Sequence, residues 1–175
     1  MVGQKSDFVN LFTLFRRARS FKAHATTPGM DYNPITSIAY ECPMSEILAP
    51  VSFGELLDKV TILQIKSERM SDAVKVANVR KELSALERTW AAHPASGTDI
   101  SDLMGQLKAV NERLWVIEDD IRILEKAQRF DAEFIRLARA VYFENDERAR
   151  IKKDINLALG SAYVEEKSYQ DYRNP

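Results

Sequence analysis

Between Leu103 and Leu124, apolar residues recur at Leu103, Leu107, Val110, Leu114, Ile117, Ile121 and Leu124. The steps alternate four and three without a break, which is a heptad seam, and the 22 residues it covers would span about 33 Å as a helix. The same spacing continues on both sides. Val76, Val79, Leu83, Leu86 and Trp90 form one further seam, and Phe134, Ala138, Val141, Asn145, Arg148, Lys152, Ile155 and Leu159 another. Earlier still, Leu56, Val60, Leu63 and Ile65 supply the buried side of a helix running from Phe53 to about Met70. Start and stop signals frame these seams. Ser52-Phe53-Gly54-Glu55 has the spacing of a capping box, in which the hydroxyl takes an orphan amide and the carboxylate reaches back. Ser71 or Asp72 can cap the second helix, Thr98 to Ser101 offer caps for the third, and Asp131 can cap the fourth. Gly160 stands just past the last turn, where glycine is common. The pattern predicts an all-α fold of four main helices, paired as antiparallel helical hairpins in a small bundle with long, coiled-coil-like helices. The short turn near Arg129–Asp131 makes the last two helices antiparallel neighbours. It sets Ile117 opposite Val141, Leu114 opposite Asn145 and Val110 opposite Arg148. The tail beyond Gly160, with Tyr163, Val164, Tyr169 and Tyr172, reads as an extended segment folded back on the bundle.

The first 43 residues look different. Phe8 to Lys22 crowds apolar positions into its first half and basic ones into its second. It is a poor signal peptide, because Asn10 breaks the apolar run and Arg16 and Arg17 follow it. If residues 8–22 form an amphipathic helix, it would lie on a membrane surface; as a loosely ordered extension the segment needs no partner. His24 to Pro34 has linker composition, and Ile35 to Cys42 suits a short strand. Charge shifts at the same boundary. Residues 1–43 carry five Lys/Arg against three Asp/Glu, and residues 44–175 carry twenty against twenty-three. Residues 1–43 therefore read as an N-terminal extension, and 44–175 as a single helical domain.

Composition excludes more than it assigns. The net charge of −1 and the mixed charges on every helix give no basic face for nucleic acid. No apolar run approaches the roughly 20 residues needed to cross a bilayer. Cys42 is the only cysteine, so no disulfide can form within the chain, which fits a cytoplasmic, reducing setting. His24 and His93 have no Cys, His or carboxylate at a ligand spacing, so neither a metal nor a cofactor is expected.

Ile47-Leu-Ala-Pro-Val-Ser-Phe-Gly-Glu-Leu-Leu-Asp-Lys-Val-Thr-Ile-Leu-Gln-Ile-Lys66 resembles the opening of a small bacterial family classed as a domain of unknown function. So do Ala77-Asn-Val-Arg-Lys-Glu-Leu83, Asn111-Glu-Arg-Leu-Trp-Val-Ile-Glu-Asp-Asp-Ile-Arg122 and Val164-Glu-Glu-Lys-Ser-Tyr169. The resemblance runs in order from about Met44 to Tyr169, and residues 1–43 depart from it. It implies a bacterial, all-helical protein with no established activity, set near surface-polysaccharide biosynthesis.

Three polar residues, Asn145, Arg148 and Lys152, interrupt the seam of the last helix. Asn111 flanks the facing seam, and Glu144 lies one turn before Arg148, in the favourable orientation for a Glu–Arg pair. Together with Glu118 these are the candidate binding residues. They read either as a satisfied polar layer that fixes register or as an anionic-ligand pocket between helices. Glu118, Asp119 and Asp120 point about 100° apart on a helix and cannot all face one metal, so they read as a solvated acidic face. Leu57-Asp-Lys-Val60 through Arg69 is similar to the first helix of the helical chorismate mutases, although an expected arginine ahead of Leu57 is missing. The leading functional expectation is a helical interaction or scaffold protein that forms a homo-oligomer, with a further protein partner possible in principle. The alternative is a helical-bundle enzyme or small anionic-ligand binder with its pocket around Arg148.

Overall fold

Among the described residues four α-helices are formed: α1 (Phe53–Arg69), α2 (Ala73–Ala91), α3 (Ser101–Lys126) and α4 (Ala132–Ala158), with one 3-10 turn, Pro94–Gly97, between α2 and α3. The structure, a computed structural model, describes residues 47–168, and no strand occurs among them. The expected helix at Phe8–Lys22, the strand at Ile35–Cys42, the 1–43 extension, Tyr169 and Tyr172 all lie outside the described residues.

The helix ends follow local chemistry. Ser52 Oγ accepts the Glu55 amide at the start of α1, and Asp72 accepts the amides of Val74 and Lys75 at the start of α2. Asp131 does the same for Glu133 and Phe134 at the start of α4. Helix α3 is the exception. Ile100 stands at its cap with no side-chain hydrogen bond, and Asp99, one residue earlier, accepts the Ser101 amide instead.

Two C-termini close in the same way. After α4, Gly160 takes φ 64°, the Ser161 amide reaches the Asn156 carbonyl at 2.8 Å, and the Gly160 amide reaches Leu157 at 3.3 Å. After α3, the Arg129 amide reaches Leu124 and the Gln128 amide reaches Glu125, both at 3.0 Å, with Gln128 at φ 53°. Both are the paired hydrogen bonds of a Schellman motif. The second places a residue with a Cβ where glycine is favoured. Replacing Gln128 by Gly should relieve that strain, less the extra freedom gained by the unfolded chain, for a net gain of about 0.5–1 kcal/mol. Urea unfolding followed by circular dichroism checks it, and a loss of stability would contradict the assignment.

Residues equidistant from each turn meet. Lys59 pairs with Glu82 across the α1–α2 turn, and Arg113 with Glu144 across the α3–α4 turn. Both hairpins therefore run antiparallel. Helices α3 and α4 share the most extensive packing, α1 packs on both of them, and α2 packs only on α1 and the 3-10 turn. The core joins Leu57 of α1, Ile100, Leu107 and Val110 at α3, and Ile151 and Ile155 of α4, with Phe53, Trp90, Leu103, Met104 and Leu159 around it.

Some inward positions differ from the periodic reading. Leu57, not Leu56, is the fully buried leucine of α1. On α4 the buried side chains are Leu137, Ile151, Lys152, Ile155 and Asn156, whereas Phe134, Ala138, Val141, Asn145, Arg148 and Leu159 are half-buried. The second half of α4 is covered by α1 as well as α3, so more of its circumference is enclosed than one seam predicts. The α2 seam is only half-buried, because α1 alone among the helices covers it.

Candidate functional site

Glu55, Asp58 and Thr61 sit at i, i+3 and i+6 on α1 and so share one face. That face meets α3 and α4, and a polar layer forms where apolar seams alone would be expected. Asp58 is buried. Asn111 of α3 donates from Nδ2 to Asp58 Oδ1 at 2.8 Å and to Thr61 Oγ1 at 2.9 Å. The Thr61 hydroxyl donates onward to the Asp58 carbonyl at 2.8 Å. Because Asn111 faces two acceptors, its amide orientation follows from the chemistry. From α4, Arg148 Nε stands 3.9 Å from the same Asp58 oxygen, an ion-pair distance but not a hydrogen bond. Burial pushes the Asp58 carboxyl above the usual carboxylate range. Arg148, Asn111 and Lys152 pull the other way without cancelling the effect.

One turn further along α4, the buried Lys152 ammonium lies between two carboxylates, Glu55 at 2.5 Å and Glu165 of the tail at 2.8 Å. Burial opposes that charge, but hydrogen bonds to Glu165 and Glu55 outweigh it and hold Lys152 above the usual lysine range. For Glu165, burial likewise opposes ionisation, and the bond to Lys152 prevails, holding its carboxyl low. The capping box is therefore half made. Ser52 serves the Glu55 amide, while the Glu55 carboxylate turns to Lys152 instead of back to the cap.

The deepest contact is at Gly54. Its amide, one of the orphan donors at the start of α1, donates to Asn156 Oδ1 at 2.7 Å, so α4 caps a helix 102 residues away. An added Cβ at Gly54 would stand 2.5 Å from the Lys152 carbonyl oxygen. The two backbones thus approach as closely as glycine allows. Asn111 Oδ1 and Asn156 Nδ2 are left without a hydrogen-bond partner among the described residues.

Of the six candidate residues, Asn111, Arg148 and Lys152 come together in this layer. Asn145 lies beside it, with Nδ2 turned onto its own helix at Val141 O and its backbone carbonyl accepting from Lys167 of the tail at 3.3 Å. Glu144 is not the partner of Arg148. It pairs with Arg113 at 2.9 Å across the hairpin, which leaves Arg148 to Asp58. Glu118 lies elsewhere, paired with Arg122 one turn along its own helix. The residues that sequence reasoning missed are Glu55, Asp58, Thr61, Asn156, Glu165 and Lys167. Asp58 carried a readable signal, since Gly54, Asp58, Thr61 and Ile65 follow one helical stripe. The tail residues carried none, because their partners are fixed by the chain reversal at Gly160. The described residues hold no group of three or more His, Cys, Asp or Glu placed to hold a metal ion, and no helix among them is long and apolar enough to cross a membrane.

The four helices, the polar layer and the tail that closes it lie within one family match. Residues 47–174 match the pattern described as "Family of unknown function (DUF6165)". The chain belongs to this family. No curated protein and no solved structure matches it. The DUF6165 match spans α1 to the tail as one unit and brings no activity with it, so chemistry has to be argued from the side chains.

Proposed function

We propose that the chain is a helical association module that pairs with a second copy of itself through the turn end of the α3–α4 hairpin. The observation that carries this reading is the distribution of apolar surface. The polar contacts from α1 to the hairpin fall between Lys108 and Glu112 on α3 and between Arg148 and Asn156 on α4. Toward the turn, Val116, Ile123, Phe130, Ile135, Tyr142 and Phe143 are exposed, Ile123 by 63%. Two helices alone cannot cover all of their apolar edge.

A second copy fits the charges of this arm. Asp120 on α3 and Arg139 on α4 are both exposed; Arg136 lies within the field of Asp120 and the Arg139 guanidinium stands over the Phe143 ring, but neither Asp120 nor Arg139 has an ion-pair partner within 4.0 Å among the described residues. In a two-fold contact, residue i of one copy meets residue j of the other and the reverse. Each of these charges would then find its opposite. Surface-polysaccharide glycosyltransferases, the setting implied by the family resemblance, are the heterologous partners to test beside self-association in a pull-down.

Light scattering of the full chain at micromolar concentration tests the reading. A dimer mass is expected, falling to a monomer mass when Ile123 and Phe143 are both replaced by Glu, with helical circular dichroism retained. A monomer mass for the unmodified chain across that range would refute self-association.

A further inference from the structure

The second half of α4 is dense in cations, and most of them are matched. Arg150 bonds Glu147 and Asp154, Lys152 bonds Glu55 and Glu165, and Lys153 stands 3.7 Å from Glu166. Arg148 differs. Among the described residues only Asp58 has a carboxylate within 4.0 Å of it, beyond hydrogen-bond distance, with Glu165 farther off within its field; the guanidinium makes no hydrogen bond to the described residues, although the side chain is only 23% exposed. A guanidinium offers five donors in a planar fork and cannot shed its charge.

A second cation is brought beside it. The tail reverses at Gly160 and runs back along α4, and Lys167 Nζ donates to the carbonyl of Asn145, three residues and about one turn before Arg148. The two charges feel each other. Burial lowers Lys167 below the usual lysine range, and repulsion from Arg148 and Lys152 lowers it further, with Glu165 and Asp146 offsetting part of this.

We propose that Arg148 and Lys167 form a site for a small dianionic phosphate, either the free ion or a phosphate monoester. The fork of Arg148 would grip two phosphate oxygens, and the Lys167 ammonium would serve the third as a point charge. Asp58 lies on the Nε side at ion-pair distance without a hydrogen bond, so it takes up none of the guanidinium's donors. The site rests on α4 and the tail and is independent of the pairing surface at the other end of the hairpin.

Thermal unfolding of the full chain tests the site, with inorganic phosphate and glucose 1-phosphate as probes against sodium chloride at equal ionic strength. At a ligand concentration ten times Kd, specific binding should raise Tm by about 3–6 °C beyond the salt control. A shift from both probes indicates recognition of the phosphate group alone, and a shift from glucose 1-phosphate only assigns the monoester. Lys167→Gln, a change in the exposed tail that should leave the fold intact, should lose most of the shift, and Arg148→Leu all of it. No shift beyond sodium chloride with either probe, or a full shift retained in Lys167→Gln, would overturn the proposal.

Discussion

Replacing Gly54 by Ala is expected to destabilise the protein by about 2–4 kcal/mol, although Ala is the better helix former. In an open helix position the same change stabilises by about 0.5–1 kcal/mol, because Gly has more backbone freedom to lose on folding. At Gly54 the new methyl would meet the Lys152 carbonyl oxygen at 2.5 Å and Asn156 Oδ1 at 3.1 Å. The nearer atom is backbone and cannot swing aside, so α1 and α4 must separate. Separation also loosens the Gly54–Asn156 hydrogen bond and the adjoining Glu55–Lys152 pair. Gly105 supplies the control. It is exposed on α3, and an added Cβ there meets nothing within 4 Å. Gly105→Ala should therefore stabilise by about 0.5–1 kcal/mol. Denaturant midpoints of the two variants should move in opposite directions. A Gly54→Ala protein as stable as the parent would show that the close approach of α1 and α4 has been misjudged.

The helices were legible because each is written locally. Asp131 and Gly160 mark the ends of α4, and the four-three spacing of Leu107, Val110 and Leu114 gives the inward line of α3 without knowledge of the other helices. The polar layer was legible only on one side. Asn111, Arg148 and Lys152 stand out because they interrupt or flank apolar seams. Their partners do not, because a hairpin register says which residues face each other on α3 and α4 and nothing about where α1 crosses them. Glu144 illustrates the limit. Spacing along α4 favours its pairing with Arg148, yet Arg113 reaches it first across the hairpin, and Arg148 turns to a carboxylate 90 residues away in sequence. Glu55 shows the same competition, since a local capping role yields to the buried Lys152. Long-range charge partners override short-range spacing wherever burial makes an unmatched ion costly.

That cost should fall unequally on Asp58 and Arg148. Asp58 can neutralise itself by taking a proton, and burial already pushes its carboxyl in that direction. Arg148 cannot lose its charge. Asp58→Leu should therefore cost about 2–3 kcal/mol, since it takes one of the two acceptors of the Asn111 amide and the one carboxylate that, among the described residues, lies within 4.0 Å of Arg148. Arg148→Leu should cost about 1 kcal/mol or less under mildly acidic conditions, because an apolar replacement fills the space and Asp58 can go neutral. The pH dependence separates the two. With its folded pKa raised, Asp58 holds its proton longer in the native state than in the unfolded chain, so its contribution is complete below the ordinary carboxylate pKa. It is lost as pH rises through the raised value, with a slope of at most about 1.4 kcal/mol per pH unit. Without Arg148, whose charge lowers that pKa, the loss should continue to higher pH and grow larger. Asp58→Asn, which keeps an acceptor for Asn111 but has no proton to lose, should flatten it. Urea unfolding of the three variants and the parent, from below the ordinary carboxylate pKa up to about pH 8, reads all of this. If Arg148→Leu keeps the pH profile of the parent, Arg148 and Asp58 are not electrostatically coupled.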